Sequence, residues 1–300
     1  MEQHSHKDIL RTVRRIEITT RRAVNAELAG RYHSVFKGQG MAFSEVRPYA
    51  PGDDIRHIDW NVSARHQHHG LFVKQFVEER ELTVTLLVDM SGSADFGTKG
   101  RTKRELLAQV GALLAFSAIK NNDRVGLVIF TDEVELYVPP RKGRSHVLRV
   151  IRELVEFQPR RTQTNIGEAL NYLGRVQKRR SVCFLLSDFL DEGFENPLKL
   201  AMARHDVVAL RVVDPAERAL PDLGLVELVD AETGAVEIVD TSDARIRKAY
   251  ADARAKSEHE AQRRLRQLGC DAVELSTDGD FVTPLVGFFR VRSARLRGGR

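Results

Sequence analysis

The chain has 300 residues, of which 42% are hydrophobic and 30% are charged, the composition of an ordinary globular protein. Its longest apolar run, residues 111–119, is shorter than the roughly 20 residues that a membrane span needs. The N-terminus lacks the apolar core of a secretory signal, so we expect a cytoplasmic protein. The two cysteines, Cys183 and Cys270, lie in strand-like apolar segments, and we interpret both as small buried side chains.

A net charge of +5 could attract nucleic acid or an acidic protein surface. The last eleven residues, 290–300, carry five arginines and no acid, and we interpret them as a solvated, frayed tail. A nucleic-acid-binding protein is one functional alternative. The low aromatic content of 7% and the lack of a recognised nucleic-acid motif argue against it.

The N-terminal part of the chain shows two patterns. Residues 7–30 have helical spacing of apolar residues among many arginines. The stretch that follows contains turn signals at Lys37-Gly38, Pro51-Gly52 and Gly70, with few periodic apolar residues, so we expect short strands and loops. We therefore predict an N-terminal region, residues 1–80, that consists of a helix and a small irregular β region.

From residue 81 onward, buried strands alternate with helical patterns. Runs such as residues 82–88 (LTVTLLV) are almost wholly apolar and β-branched, which indicates strands that are buried on both faces. The alternation predicts an α/β fold with a doubly wound, mostly parallel sheet flanked by helices over residues 81–300. This region should also contain a hairpin that turns at Glu232-Thr233-Gly234, a long charged helix over 242–268 and a closing helix over 281–291.

Polar side chains follow the first core strand. Asp89 is the first polar residue after it, and Ser91 and Ser93 come at alternate positions. In parallel sheets, ligands bind beyond the carboxyl ends of the strands, and an extended turn can aim these three side chains at one point. Their oxygens suit a hard cation, although an Asx turn or a helix cap would place the same residue types here.

Two further segments supply oxygen-bearing side chains. Thr164 stands just before a predicted helix, and the structural alternative for it is an N-cap. Asp188 follows a later buried strand, where it could be an ordinary loop acid. Because each lies at the expected end of a core element, we predict that both join Asp89, Ser91 and Ser93 in one cation site.

These five positions resemble the metal-ion-dependent adhesion site of von Willebrand factor A domains. That site combines Asp-x-Ser-x-Ser, a Thr before a helix and an Asp after a later strand. The segment NDRVGLVIFTDEV also resembles the second and third strands of that fold, and the resemblance covers about residues 81–215. It implies that the Asp-x-Ser-x-Ser residues bind a cation, which Thr164 and Asp188 contact directly or through water.

The upstream sequence resembles a second pattern. GQGMAFSEVRPYAPGDDIRHIDWNVSARH, followed by LFVKQFVEERE, is similar to the uncharacterised bacterial family called domain of unknown function 58. That family joins this segment to a von Willebrand factor A-type domain, which extends the match to about residues 30–215. The resemblance implies a MoxR-type AAA+ ATPase, or its client, as the protein partner in chaperone-like assembly or regulation.

Mg²⁺ keeps several waters in octahedral coordination, so the site would leave a position for a partner's carboxylate. No general base or nucleophile is evident beside it, and we predict a non-enzymatic, Mg²⁺-dependent protein-interaction module. Mn²⁺ or Ca²⁺ would also suit these oxygens. The enzymatic alternative is a phosphatase with Asp89 as nucleophile. Such enzymes usually have a second Asp two residues later, where this chain has Ser91, which cannot act as acid or base near neutral pH.

Other polar residues have both a structural and a functional interpretation. Asp53, Asp54, His57 and Asp59 could hold a second metal, but Arg56 among them favours ion pairs.

A histidine group and the single tryptophan also have two interpretations. His66, His68 and His69 could form a weak transition-metal site, although an exposed polar loop is the simpler interpretation. Trp60 either anchors the core of its region or forms a partner contact.

Overall fold

The computed structural model describes residues 13–18, 32, 35–36, 42–65, 70–77, 81–97 and 101–298. The chain forms two compact units. The smaller unit is Lys37–Leu82, and the larger unit consists of Met1–Phe36 and Thr83–Arg300. This division differs from the predicted boundary at residue 80, because the first 36 residues belong with the larger unit.

The smaller unit contains an antiparallel strand pair, where the sequence predicted short strands. It also contains a short helix, which the sequence did not predict. The helix begins after Asp59, whose carboxylate accepts hydrogen bonds from the backbone N–H groups of Asn61 and Val62. One turn and a half of helix is too short to show an apolar period, so only this capping residue could have indicated it. The elements are, in chain order, β1 (Ala42–Pro48), a 3₁₀ turn (Ile55–His57), α1 (Trp60–Arg65) and β2 (Phe72–Val77).

The larger unit is built around a six-stranded sheet, and a separate two-stranded hairpin lies in sequence before the last strand of that sheet. The strands of the sheet are β3 (Thr83–Asp89), β4 (Arg124–Phe130), β5 (Val134–Arg141), β6 (Val182–Ser187), β7 (Asp206–Val213) and β10 (Asp271–Ser276). The hairpin consists of β8 (Leu225–Val229) and β9 (Val236–Asp240). The order in the sheet is β10-β7-β6-β3-β4-β5, and β4 and β5 form its antiparallel pair. The predicted mostly parallel sheet is therefore confirmed.

Helices flank this sheet, as the sequence predicts. They are α2 (Lys103–Lys120), α3 (Arg144–Glu156), α4 (Ile166–Val176), α5 (Glu195–Arg204), α6 (Ala244–Gln267) and α7 (Val282–Gly298). Helix α2 begins with a capping box, in which the Thr102 hydroxyl accepts the N–H of Glu105 and the Glu105 carboxylate accepts the N–H of Thr102. Residues 13–18 are also helical.

Both faces of the central strand β3 are covered by helices. Leu87 belongs to a buried cluster with Leu170 of α4, Leu198 of α5 and Leu265 of α6. Leu86 lies on the opposite face, next to Gly111 of α2, because successive strand residues point to opposite faces. This double coverage explains why the strand is apolar at nearly every position.

The strand order reverses beside β3, and this positions the candidate site. Strand β3 pairs with β4 on one side and with β6 on the other, both in parallel. From β3 the chain therefore continues to β4 on one side, and it later returns to form β6 on the other side of β3. In sheets of this kind the crevice at such a reversal, beyond the carboxyl ends of the strands, binds ligands. Asp89 ends β3 and Ser187 ends β6 at this crevice.

Aromatic contacts explain why the first residues belong with the larger unit. Tyr32 and Phe36 are buried, and their ring centroids are 5.1 Å apart. The ring of Phe36 lies 5.7 Å from that of Phe184 in β6 and 5.8 Å from that of Phe289 in α7. An N-terminal segment therefore contributes side chains to the core of the sheet.

The prediction of a frayed tail over residues 290–300 is wrong for its described part. Helix α7 continues to Gly298. Nη2 of Arg292 lies 2.5 and 2.6 Å from the two carboxylate oxygens of Asp206, and Nη1 of Arg295 lies 3.2 Å from Oδ1 of Asp271. These arginines bind acids of β7 and β10, which fixes the helix.

One simpler prediction concerns the burial of the two cysteines. Cys183 and Cys270 are free and buried, as predicted. Within the described residues, none of the helices combines the length and apolar character that crossing a bilayer requires.

Candidate functional site

Asp89 is buried at the end of β3, with 4% of the residue exposed. Its Oδ1 accepts a 3.0 Å hydrogen bond from the backbone N–H of Ser91, and its Oδ2 accepts a 2.7 Å bond from the hydroxyl of Ser187. Both donors are neutral. No lysine, arginine or histidine among the described residues forms an ion pair with this carboxylate.

Ser91 and Ser93 connect Asp89 to the strand-end acid of β6. The two serine hydroxyl oxygens lie 3.4 Å apart, and the Ser93 hydroxyl donates a 3.0 Å hydrogen bond to Oδ2 of Asp188. A 3₁₀ turn over Gly92–Asp95 sets this arrangement. The structure therefore joins four of the five predicted residues in one hydrogen-bonded chain.

Thr164 reaches the same region through a different partner. Its hydroxyl donates a 3.0 Å hydrogen bond to Oε1 of Glu232. The N-cap of α4 is Asn165, so the interpretation of Thr164 as an N-cap is wrong. The segment that carries Thr164 runs beside the serines, since the backbone N–H of Gly92 donates a 2.8 Å bond to the carbonyl of Thr162.

Lys103 belongs to the site although the sequence did not predict it. Its side chain is 2% exposed, and its ammonium nitrogen lies 3.3 Å from Oδ2 of Asp188 and 2.6 Å from Oε1 of Glu217. Lys103 is the first residue of α2, and a lysine at the start of a helix is usually solvated. No local pattern therefore indicated its burial.

Glu232 is the second residue that the sequence did not place in the site. It lies at the tip of the β8–β9 hairpin, and the predicted turn over Glu232-Thr233-Gly234 is confirmed. Gly234 has a φ of +71°, the left-handed conformation that glycine adopts without strain. The turn signal predicted the hairpin, but it could not show that the tip lies beside Thr164.

Burial and mutual repulsion shift the ionisation of two of these acids. Burial raises the pKa of Asp89, and the charge of Asp188 raises it further, against hydrogen bonds from Ser187 and Ser91 that lower it. Burial likewise raises the pKa of Glu232; the hydrogen bond from Thr164 opposes this, and the charge of Asp188 adds to it. A bound cation would favour the ionised form of both groups.

The donor set decides which cation would fit. Among the residues that the structure describes, no group of three or more His, Cys, Asp or Glu side chains is arranged to hold a metal ion. A cation here would depend on hydroxyl oxygens as well as on carboxylates. An all-oxygen set of this kind suits Mg²⁺, Mn²⁺ or Ca²⁺ better than zinc, whose protein sites are typically built from Cys and His. The predicted residues therefore fit a hard cation.

Three aspartates of the smaller unit form ion pairs, in agreement with the structural interpretation. The pairs are Asp53–Arg47 at 2.6 Å, Asp54–Arg56 at 2.7 Å and Asp59–Lys74 at 3.3 Å.

Trp60 is 67% exposed, so it does not anchor a core. His66, His68 and His69 lie outside the described residues.

Comparison with known proteins gives relatives across most of the chain. Residues 45–260 match the family described as "Protein of unknown function DUF58". The uncharacterized protein Rv1480 of Mycobacterium tuberculosis is 34% identical over 289 residues, which are 95% of this chain and 89% of that protein.

Two similar solved structures come from Bacteroides. BatB of Bacteroides thetaiotaomicron is 17% identical with a TM-score of 0.46, and the match covers 71% of this chain and 99% of BatB. An aerotolerance-related membrane protein of Bacteroides fragilis is 16% identical with a TM-score of 0.47, over 71% of this chain and 99% of that one.

Proposed function

Since the chain belongs to the DUF58 family of proteins of unknown function, and its site combines buried acids with hydroxyls, we propose that it is a cation-dependent protein-interaction module. In this proposal the larger unit is a doubly wound, von Willebrand factor A-type domain. It binds one divalent cation, Mg²⁺ by preference, and a carboxylate of a partner protein completes the coordination. The proposed cation-binding residues are Asp89, Ser91, Ser93, Thr164 and Asp188.

The observation that best supports this proposal is the environment of Asp89. This carboxylate is buried, it lies close enough to Asp188 to be repelled by it, and its hydrogen-bond donors are neutral. Burying an ionised carboxylate without a positive partner is costly. A divalent cation would remove that cost. Lys103 does not supply the missing charge, because its ammonium contacts Asp188 and Glu217.

The surroundings of Asp89 favour binding over hydrolysis. Its described hydrogen-bond donors are Ser187 and Ser91. A serine hydroxyl cannot exchange protons as a general acid or base near neutral pH. The residue two positions after Asp89 is Ser91, where a phosphatase with an Asp nucleophile would usually have a second Asp. We therefore propose a non-enzymatic role.

For the partner, we propose a MoxR-type AAA+ ATPase or its client, in the cytoplasm. The support for this choice is the sequence resemblance, together with chemistry: a cation with an open position selects an acidic side chain on the other protein. We propose that this contact serves chaperone-like assembly or regulation.

The first test is metal binding by the full chain, measured by calorimetric titration with Mg²⁺ and Mn²⁺. We expect one site in the wild type and none in Asp89→Asn. Asp95→Asn is a matched control, because Asp95 lies on the same 3₁₀ turn but its side chain is 66% exposed. Absence of binding by the wild type, or equal binding by both variants, would overturn the proposed site.

The second test is capture of a purified MoxR-type ATPase in Mg²⁺ and in EDTA. We expect capture to be lost with EDTA and with Asp89→Asn, and retained with Asp95→Asn. Equal capture under all conditions would contradict a metal-bridged contact.

A further inference from the structure

The tip of the β8–β9 hairpin lies against the proposed cation site at three points. Oε1 of Glu232 accepts the hydroxyl of Thr164 at 3.0 Å, and the carbonyl of Glu232 accepts the hydroxyl of Thr162 at 2.6 Å. The third point is Gly92, between the two site serines, where an added Cβ would overlap the carbonyl of Ala231. The tip therefore contacts the site through Glu232 and the backbone of Ala231, while Thr233 and Gly234 are exposed.

The tip is held in one conformation by its own hydrogen bonds. Oδ1 of Asp230 accepts the backbone N–H groups of Glu232 at 2.9 Å and of Thr233 at 2.8 Å. The N–H of Gly234 donates a 2.8 Å bond to the carbonyl of Asp230, and the N–H of Asp230 donates a 2.9 Å bond to the carbonyl of Ala235. A turn fixed in this way presents the Glu232 side chain without a large loss of conformational entropy on binding.

The charges around Glu232 do not explain its position. Asp188, Asp230 and Asp191 are the acids whose charges act on it, and no lysine or arginine of the described residues pairs with it. The side chain is half-buried, so water screens this repulsion only in part. A carboxylate held beside other carboxylates, against a hydroxyl proposed as a cation ligand, is arranged as a ligand of that cation would be.

We propose that Glu232 is a built-in ligand of the cation, occupying the coordination position that a partner's carboxylate takes in the open site. This inference rests on the proposed function and extends it to the regulation of the same site. The hairpin then acts as an internal competitor: a partner's Asp or Glu has to displace the tip before it can reach the cation. Capture of the partner then depends on how well the partner's carboxylate competes with Glu232 for the cation, and not only on the presence of metal.

The test uses Mn²⁺ as the probe with the full chain. Electron paramagnetic resonance gives the Mn²⁺ affinity, and line broadening in ¹⁷O-enriched water gives the number of waters on the bound ion. The variant is Glu232→Gln, which keeps the shape of the side chain and removes its charge. The matched control is Glu237→Gln, which changes the same residue type on the same hairpin at an exposed position of β9.

We expect Glu232→Gln to weaken Mn²⁺ binding by about tenfold, the scale of losing one supporting contact in a metal site, and Glu232→Ala, which removes every side-chain oxygen, to add one water to the bound ion. Glu237→Gln should match the wild type in both measurements. If Glu232→Gln and Glu237→Gln behave alike while Asp89→Asn still abolishes binding, Glu232 is not a ligand and the proposed function stands. If the wild type does not bind Mn²⁺, the proposed function itself fails, and this inference fails with it.

Discussion

The ammonium of Lys103 lies 2.6 Å from Oε1 of Glu217, inside a region where the lysine side chain is 2% exposed. Removing the lysine leaves the Asp188 carboxylate without its ion-pair partner, while Glu217 keeps its 3.4 Å contact with Arg254. We expect Lys103→Met to lower the free energy of unfolding by about 3 kcal/mol, the scale for breaking a buried ion pair from one side. Urea unfolding in EDTA measures this.

The control for Lys103→Met is Lys199→Met, at an exposed position of α5. It should change stability by less than about 0.5 kcal/mol. With metal present, Lys103→Met should also bind Mg²⁺ more tightly, because a competing positive charge beside Asp188 is gone. Equal stability of the two variants would show that the Lys103 pair contributes nothing.

Asp89→Asn should stabilise the metal-free protein above neutral pH. The pKa of Asp89 is raised on folding, so the folded state holds the proton more tightly than the unfolded state. Stability therefore falls as the pH rises from the ordinary range of a carboxyl through the raised pKa. Burial raises the pKa of Asp89 to about 7, and each pKa unit is worth about 1.4 kcal/mol, so we expect a gain of roughly 4 kcal/mol at most at pH 8 in EDTA.

Thermal unfolding of wild type and Asp89→Asn, at several pH values with EDTA or Mg²⁺, checks this prediction. The difference in EDTA should shrink toward pH 4, where both side chains are neutral. Mg²⁺ should raise the melting temperature of the wild type alone. A less stable variant at pH 8 in EDTA would contradict the raised pKa.

Gly92→Ala should displace the hairpin tip, because the new Cβ overlaps the Ala231 carbonyl, a backbone atom that cannot rotate away. We expect a loss of about 1–3 kcal/mol in stability, typical of overpacking. Amide hydrogen exchange at Glu232 and Thr233 should become faster as their bonds to Asp230 loosen.

The matched control is Gly174→Ala in α4, where nothing lies within 4 Å of the added Cβ. This change should stabilise the protein by about 0.5–1 kcal/mol, because alanine favours the helix. If amide exchange at the tip is unchanged in Gly92→Ala, the position of the hairpin does not depend on the absence of a side chain at residue 92.

Arg292→Met should destabilise the larger unit by about 2 kcal/mol, through loss of the two-oxygen contact with Asp206. The guanidinium also lies 5.0 Å from the ring centre of Phe36, a contact that contributes to the same loss. Arg290→Met, at an exposed position of α7, is the control. Chemical unfolding distinguishes them, and similar curves would restore the frayed-tail interpretation.

The phosphatase alternative has a direct test. With Mg²⁺ and p-nitrophenyl phosphate, we expect no turnover above the buffer rate. Turnover by the wild type that disappears in Asp89→Asn would contradict the binding role and support an Asp89 nucleophile.

The core of the sheet was predictable because its strands are buried on both faces. The structure has a strand at Thr83–Asp89 and a helix at Ala244–Gln267, close to the predicted strand over 82–88 and the predicted long helix over 242–268. A strand between two helical layers has to be apolar at every position, and that pattern is difficult to mistake. Asp89 and Asp188 each follow a strand of a predicted parallel sheet, so both could be assigned to its carboxyl edge.

The residues that complete the site were not predictable in the same way. Lys103 and Glu232 act through contacts with segments distant in sequence, and neither breaks a local pattern: one begins a helix and the other lies in a turn. For Trp60 the sequence left a core position and a partner contact open, and its exposure in the structure removes the core interpretation. Periodicity reports which face of an element is buried, but not which distant polar group meets it.

The hairpin has one more consequence, because β9 runs almost directly into α6. Only three residues separate Asp240 from Ala244, and the helix that follows has 24 residues, or about 36 Å at 1.5 Å per residue. Its buried side chains, Ala261 and Leu265, lie in its last third. The helix does not run freely from the hairpin: Arg254 pairs with Glu217, which also binds Lys103, and Arg264 donates a hydrogen bond to the carbonyl of Asp191, in the loop that follows Asp188. The segment that begins at the hairpin tip therefore returns through this helix to the acids of the site, and a ligand that displaces Glu232 would act on a segment anchored beside the cation site at both ends.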